Sequence, residues 1–232
     1  MKKLLFVRGF TLSNDGIYDE YKQIYAFFRM SKYKLEYFKY TTEERLDQVY
    51  KRLVRTIKCG NYSVLMGHSM GGALLSKYCR ENDVSGYEKI ILLMPFIRTN
   101  PILNRILTWD FAREWRIPKA MILPQSFVEG AKVTGFSYIV SALLHDSFVP
   151  IGIHQCFYSK RLLLTAEEII RLFKCNANMH LIHSPTDELV SFEPEILSQI
   201  KNQYLVEGGH LSFSSKKYDN IFFDKLLYIF NA

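Results

Sequence analysis

The sequence predicts an α/β fold: a mostly parallel sheet with helices on both faces, interrupted by an inserted helical segment. Three observations carry this. Strand-like apolar runs alternate with helix-like stretches through residues 1–96 and resume after 176. The run Ile90-Ile91-Leu92-Leu93-Met94 is apolar at every position, as a strand covered on both faces requires. The chain has 232 residues, 48% of them hydrophobic and 23% charged, which suits one sizeable core and is too few for two full domains.

The elements follow in order. Lys3 to Phe10 predicts the first strand, and Asp15 to Met30 a helix with tyrosines and phenylalanines on one face. Lys34 to Tyr40 predicts a strand. Thr41-x-x-Glu44 has the form of a capping box and opens a helix that runs to Lys58. Ser63 to Gly67 is a strand, Met70 to Glu81 a helix and Lys89 to Phe96 a strand. Met179 to Ile182 and Asn202 to Val206 are strands, with a helix over Glu193 to Ile200, opened by Pro194, between them.

Between Ile97 and Asn176 the pattern changes. Trp109 and Trp115 appear, Pro101, Pro118, Pro124 and Pro150 punctuate the segment, and Ile102–Trp109, Phe136–Leu144 and Ala166–Phe173 look helical. This predicts a helical cap at 97–176 inserted into a core made of 1–96 and 177–232. A cap of this kind covers a site, excludes water and shapes a pocket.

The apolar start Leu4 to Val7 breaks at Arg8-Gly9 with no small-residue cleavage site after it, so it reads as a core strand and not a signal peptide. No apolar run approaches the roughly 18 residues of a membrane span. Cys59, Cys79, Cys156 and Cys175 lack the C-x-x-C spacing, and reduced thiols in a cytoplasmic protein are the simplest expectation. The histidines form no metal-ligand pattern: His180 and His183 are three apart on a strand, which turns them to opposite faces. The net charge of +7 is scattered. Its mild cluster is Lys51-Arg52, Arg55 and Lys58; positions 51, 55 and 58 share one helical face, and the cluster reads as a solvated surface. No nucleic-acid motif is present.

The chemistry centres on Gly67-His68-Ser69-Met70-Gly71, followed by Gly72, set between an apolar strand and a helix. A serine at the tip of so tight a turn takes a strained backbone, and the glycines remove side chains that would clash with it. The helix that starts there points free N–H groups and its positive end at the reacting centre. A serine hydroxyl needs a base, usually a histidine oriented by a carboxylate. His210 follows the strand-like Asn202–Val206 after two glycines, and Asp187 lies in the turn after Met179–Ile182. Asp187 also fits a helix N-cap, Glu188 is a competing acid, and His210 alone would suit a surface position. The three together, in the order Ser69, Asp187, His210 and each at a strand end, form a candidate catalytic triad.

On these residues the chain resembles the α/β-hydrolases, most closely the monoglyceride-lipase and serine-aminopeptidase-like branch, in which G-H-S-M-G-G is a frequent elbow. The resemblance covers roughly residues 2–96 and 177–231. It implies Ser69 as nucleophile, Asp187 as orienting acid and His210 as base. It also implies a shortened N-terminus, because many relatives carry two antiparallel strands ahead of this first one. The resemblance places an oxyanion-hole N–H just after the first strand, where Arg8-Gly9-Phe10 stands in place of a His-Gly-Phe-like segment; Phe10 N–H would serve beside Met70 N–H.

The expected function is a serine hydrolase acting on a carboxylic ester with a hydrophobic acyl group, without metal or organic cofactor. The same triad also suits a thioesterase, an amidase or aminopeptidase, or a C–C hydrolase. For the amidase, Asp110, Glu114, Glu129 and Asp146 are candidates to bind a free amine. An idle binding module is the reading from another class. Among partners, the sequence leaves peripheral membrane contact and a homodimer open, and it points to no nucleic acid.

Overall fold

The computed structural model describes residues 1–9, 21–40, 44–96, 116–118, 157–159, 178–187, 190, 197–214 and 218–231. Its elements are β1 (Lys2–Val7), α1 (Lys22–Arg29), β2 (Tyr33–Phe38), α2 (Leu46–Gly60), β3 (Val64–His68), α3 (Met70–Glu81), β4 (Lys89–Leu93), β5 (Arg116–Pro118), β6 (Phe157–Ser159), β7 (Met179–His183), β8 (Asn202–Leu205) and α4 (Asp219–Asn231). Six strands form one sheet in the order β2-β1-β3-β4-β7-β8, and every pairing in it is parallel.

The alternation of side chains along the strands divides the core in two. Leu5, Val7, Leu65, Ile90, Leu92 and Leu181 point to one face, where α2 and α3 cover them. Leu4, Phe6, Val64, Met66, Ile91, Leu93 and Ile182 point to the other, where α1 and α4 pack. Helix α2 buries Leu46, Val49, Leu53 and Ile57, a stripe at helical spacing. Helix α4 does the same with Phe222, Leu226 and Ile229. Each such side chain, fully buried, contributes about 1.5–3 kcal/mol of transfer free energy.

The helix expected after the second strand begins later than its capping-box signature implies. Arg45, in extended conformation, is the N-cap residue of α2 and makes no side-chain cap bond. Glu44 instead accepts a hydrogen bond from Arg52 Nη2 at 2.6 Å, and the Arg52 guanidinium lies 4.7 Å from the Phe38 ring centroid. Thr41 lies outside the described residues. The helix ends on Asn61 in the left-handed conformation, φ 50°, ψ 49°.

Within 97–176, β5 and β6 pair antiparallel, an element the sequence reading did not include. The three helices expected there lie outside the described residues. Among the described residues, no helix is long and apolar enough to cross a membrane.

Candidate active site

The turn after β3 has the geometry that its glycines anticipate. Ser69 sits at φ 52°, ψ −121°, a sparsely populated region that costs an L-residue about 1–3 kcal/mol. Three backbone hydrogen bonds hold it there. Ser69 N–H donates to Leu93 O at 3.0 Å, while Ser69 O accepts from Ala73 N–H at 3.0 Å and Phe96 N–H at 2.9 Å. Ser69 occupies the N-cap position of α3 yet makes no side-chain cap bond. A serine kept only for capping would use its hydroxyl on the first turn.

Close approach explains the glycines. A Cβ on Gly71 would stand 2.1 Å from Val7 O and 2.6 Å from Arg8 O, so the first turn of α3 lies against the end of β1. Gly67 and Gly72 are equally constrained, by Gly71 O and by Pro95, each at 2.7 Å. The N–H groups of Met70, Gly71 and Gly72 belong to the first helical turn, which leaves them without intrahelical carbonyls and aligned with the positive end of the helix dipole.

The strand order places this turn at the switch point of the sheet. The chain passes from β1 to β2 on one side and returns to β3 on the other, which opens a crevice between the C-terminal ends of β1 and β3. Gly9 and Ser69 face each other across it: a Cβ on Gly9 would lie 2.9 Å from Ser69 Cβ. Arg8, beside Gly9, is buried, and its guanidinium carbon lies 5.0 Å from the Tyr21 ring centroid. Met70 is the first residue of α3. Phe10, the other expected oxyanion donor, lies outside the described residues.

Asp187 and His210 meet. His210 Nδ1 is 2.8 Å from Asp187 Oδ2, and the two side chains are 3% and 0% exposed. Asp187 Oδ1 accepts Val190 N–H at 2.9 Å, an i to i+3 bond of the N-cap form. Each oxygen of this aspartate therefore has its own partner. The acid loop is tied to the base loop a second time. Ser184 Oγ and Thr186 Oγ1 both donate to Gly208 O, the latter at 2.8 Å. Nearby, burial pushes the His183 pKa below its ordinary value, and the Asp187 charge and a hydrogen bond with Gln203 act against that shift. Glu188, the competing acid, lies outside the described residues. Ser69 directly follows β3, Asp187 follows β7 and His210 follows β8, so all three stand beyond C-terminal strand ends.

Two further residues join these parts, and sequence reasoning did not single them out. His68 Nδ1 is 2.8 Å from Tyr21 Oη, and Gly9 N–H donates to the same Oη at 2.9 Å. His68 Nε2 is 3.0 Å from His210 O, with the two imidazole centroids 4.8 Å apart. His68 is the variable position of the pentapeptide, and Tyr21 reads in sequence as one more core aromatic. A cleft of about 740 Å³ borders Asp187, lined among others by His183, Tyr204 and Lys225. Neither Ser69 nor His210 lines it, so it is not assigned to the reacting group.

No protein-family model and no curated protein matches the chain. Solved structures do. A structure of the metagenome-derived lipolytic enzymes LipS and LipT is similar at a TM-score of 0.63 and 16% identity, covering 99% of this chain and 94% of the other. The ydeN gene product from B. subtilis is similar at a TM-score of 0.57 and 14% identity over 100% of both chains. The esterase EaEST from Exiguobacterium antarcticum gives 0.56 and 13% identity, over 99% of this chain and 92% of its own. The parallel six-stranded sheet and these likenesses establish the α/β-hydrolase fold.

Proposed function

We propose that this chain is a serine hydrolase that cleaves carboxylic esters with a hydrophobic acyl group through an acyl-enzyme on Ser69. The observation that carries the reading is the buried Asp187–His210 hydrogen bond beyond the ends of β7 and β8, at the same edge of the sheet as the strained Ser69 turn. Asp187 holds the His210 proton on Nδ1, which keeps Nε2 basic. Nε2 takes the Ser69 hydroxyl proton as Oγ attacks the ester carbonyl. Met70 N–H, with Phe10 N–H from the loop after β1, stabilises the oxyanion. Collapse of the tetrahedral intermediate breaks the C–O bond, and His210 hands its proton to the leaving alcohol. Water, deprotonated by His210, then attacks the acyl-enzyme and releases the acid. This cycle draws on the chain's own residues alone.

The preference for an ester over a thioester, amide or C–C bond rests on the structural neighbours, one called lipolytic and one an esterase. In this reading residues 97–176 form the cap that supplies the acyl pocket, the closest branch is the monoglyceride-lipase and serine-aminopeptidase-like one, and the protein works in the cytoplasm. The test is hydrolysis of p-nitrophenyl esters from short to long acyl chains, with the parent and Ser69→Ala side by side. The parent turns them over with an optimum beyond the shortest chain, and Ser69→Ala loses the activity. Equal rates in the two proteins would remove Ser69 from the mechanism.

A further inference from the structure

With a neutral His68 ring the network through Tyr21 and His68 has one direction. A carbonyl oxygen only accepts, so His68 Nε2, 3.0 Å from His210 O, carries a proton and donates it. In the neutral ring Nδ1 is then an acceptor, and the Tyr21 hydroxyl 2.8 Å away donates to it. The same hydroxyl oxygen accepts Gly9 N–H. The sequence of donors is Gly9 N–H to Tyr21 Oη–H to His68 Nδ1, and His68 Nε2–H to His210 O. Its two ends are backbone groups of the two loops that the reaction needs most. Gly9 immediately precedes Phe10, and His210 carries the base. His68 itself is bonded to Ser69.

We propose that Tyr21 and His68 are positioning residues that lock the loop after β1, the Ser69 turn and the His210 backbone into one rigid unit. The proposal rests on the hydrolase reading above. Any buried histidine needs a partner at its ring nitrogens; what is particular here is that both partners lead to backbone of the site loops, Gly9 through Tyr21 Oη and His210 O. Here each ring nitrogen has a partner that the tautomer dictates, and both residues are buried, 1% exposed for Tyr21 and 2% for His68. A buried network satisfied in this way is rigid because every alternative arrangement leaves a polar group unpaired. Rigidity matters at this place because a misplacement of about 1 Å costs on the order of 100-fold in rate.

The test separates positioning from packing. Tyr21→Phe keeps the ring that stacks on Phe213, with centroids 5.5 Å apart, and meets Phe6 edge-on, and it removes only the hydroxyl. The expected result is a kcat lower by about 10- to 100-fold with KM within about threefold, since the lost alignment acts in the transition state. His68→Asn, which can still accept from Tyr21 but no longer reaches His210 O, lowers kcat in the same way. Melting curves of both variants establish that they fold. A fluorophosphonate-labelled parent with Tyr21→Phe at the parent rate overturns this inference alone. A parent that folds and is never labelled overturns the hydrolase reading and this inference with it. Independently of activity, ¹⁵N–¹H correlation of the imidazoles should find His68 neutral with its proton on Nε2; a proton on Nδ1 overturns the network.

Discussion

Replacing Asp187 by asparagine tests the acid–base geometry with one atom. The two carboxylate oxygens have different partners: Oδ1 accepts Val190 N–H at 2.9 Å, and Oδ2 faces His210 Nδ1 at 2.8 Å. In Asp187→Asn the amide oxygen must face Val190 N–H, because two donors cannot pair. The amide NH2 is then turned to His210 Nδ1, which must accept. That forces the His210 proton onto Nε2, where, under the proposed mechanism, the ring can no longer take the Ser69 proton. Loss of a charged hydrogen bond alone costs about 1.5–3 kcal/mol, or about 10- to 150-fold in rate at 1.36 kcal/mol per decade. A wrong tautomer costs more, about 10⁴-fold for the same exchange in a well-characterised serine protease. The expected loss in kcat/KM on a p-nitrophenyl ester is therefore about 10³- to 10⁴-fold, with the melting temperature little changed because Val190 keeps its acceptor. A loss below about 100-fold in a folded variant would refute the tautomer reasoning and leave Asp187 as a simple hydrogen-bonding partner.

Three other outcomes follow from the structure. Gly71→Ala puts a Cβ 2.1 Å from Val7 O, a backbone atom that cannot rotate away; overpacking of this kind costs about 1–3 kcal/mol or more, about 2–4 °C in melting temperature per kcal/mol for a chain of this size, and unchanged melting would contradict the close approach of α3 to β1. Ser184→Ala and Thr186→Val each leave Gly208 O one hydroxyl donor, Ser184→Ala also freeing the Thr186 N–H that Ser184 Oγ accepts at 3.2 Å, and the double variant loses more than the sum of the two, about 1–3 kcal/mol for an unsatisfied carbonyl; additive melting shifts would count against the shared acceptor. Burial, and then the Lys89 charge, lowers the His180 pKa to about 4, against about 6.5 for an unfolded histidine. The unfolded state thus binds more protons between these values, so this contribution to stability is complete above pH about 6.5 and is lost as the pH falls toward 4; in His180→Gln the melting temperature should fall less steeply over that window, and an unaltered slope would place the acid sensitivity elsewhere.

The parts of the site that are local in sequence are legible there. The Ser69 turn can be read because a strand, three glycines and a helix stand in contact along the chain, although the atoms that Gly71 and Gly72 approach, Val7 O and Pro95, are distant in sequence. Asp187 and His210 can be placed near each other because parallel strands bring the loops after β7 and β8 to one edge of the sheet. Helix α3 was expected over Met70 to Glu81 and lies there. What depends on distant residues is not legible. Tyr21 and His68 are 47 positions apart, and His68 and His210 142 apart, so no spacing announces their bonds. Helix α2 begins at Leu46, later than Thr41-x-x-Glu44 implies, and Glu44 meets the distant Arg52, whose guanidinium lies over Phe38. Helix α4 was not singled out, because Phe222, Phe223, Leu226, Leu227 and Ile229 give a run that is apolar on more than one face and weakly periodic.

The central claim is that Ser69 is an activated nucleophile, and the most direct measurement is mass spectrometry of the intact protein after reaction with a fluorophosphonate, followed by peptide mapping. The expected result is one adduct per chain, on Ser69, absent from Ser69→Ala and much slower to form in Asp187→Asn. A folded parent that takes up no adduct, or an adduct that persists in Ser69→Ala, would contradict it.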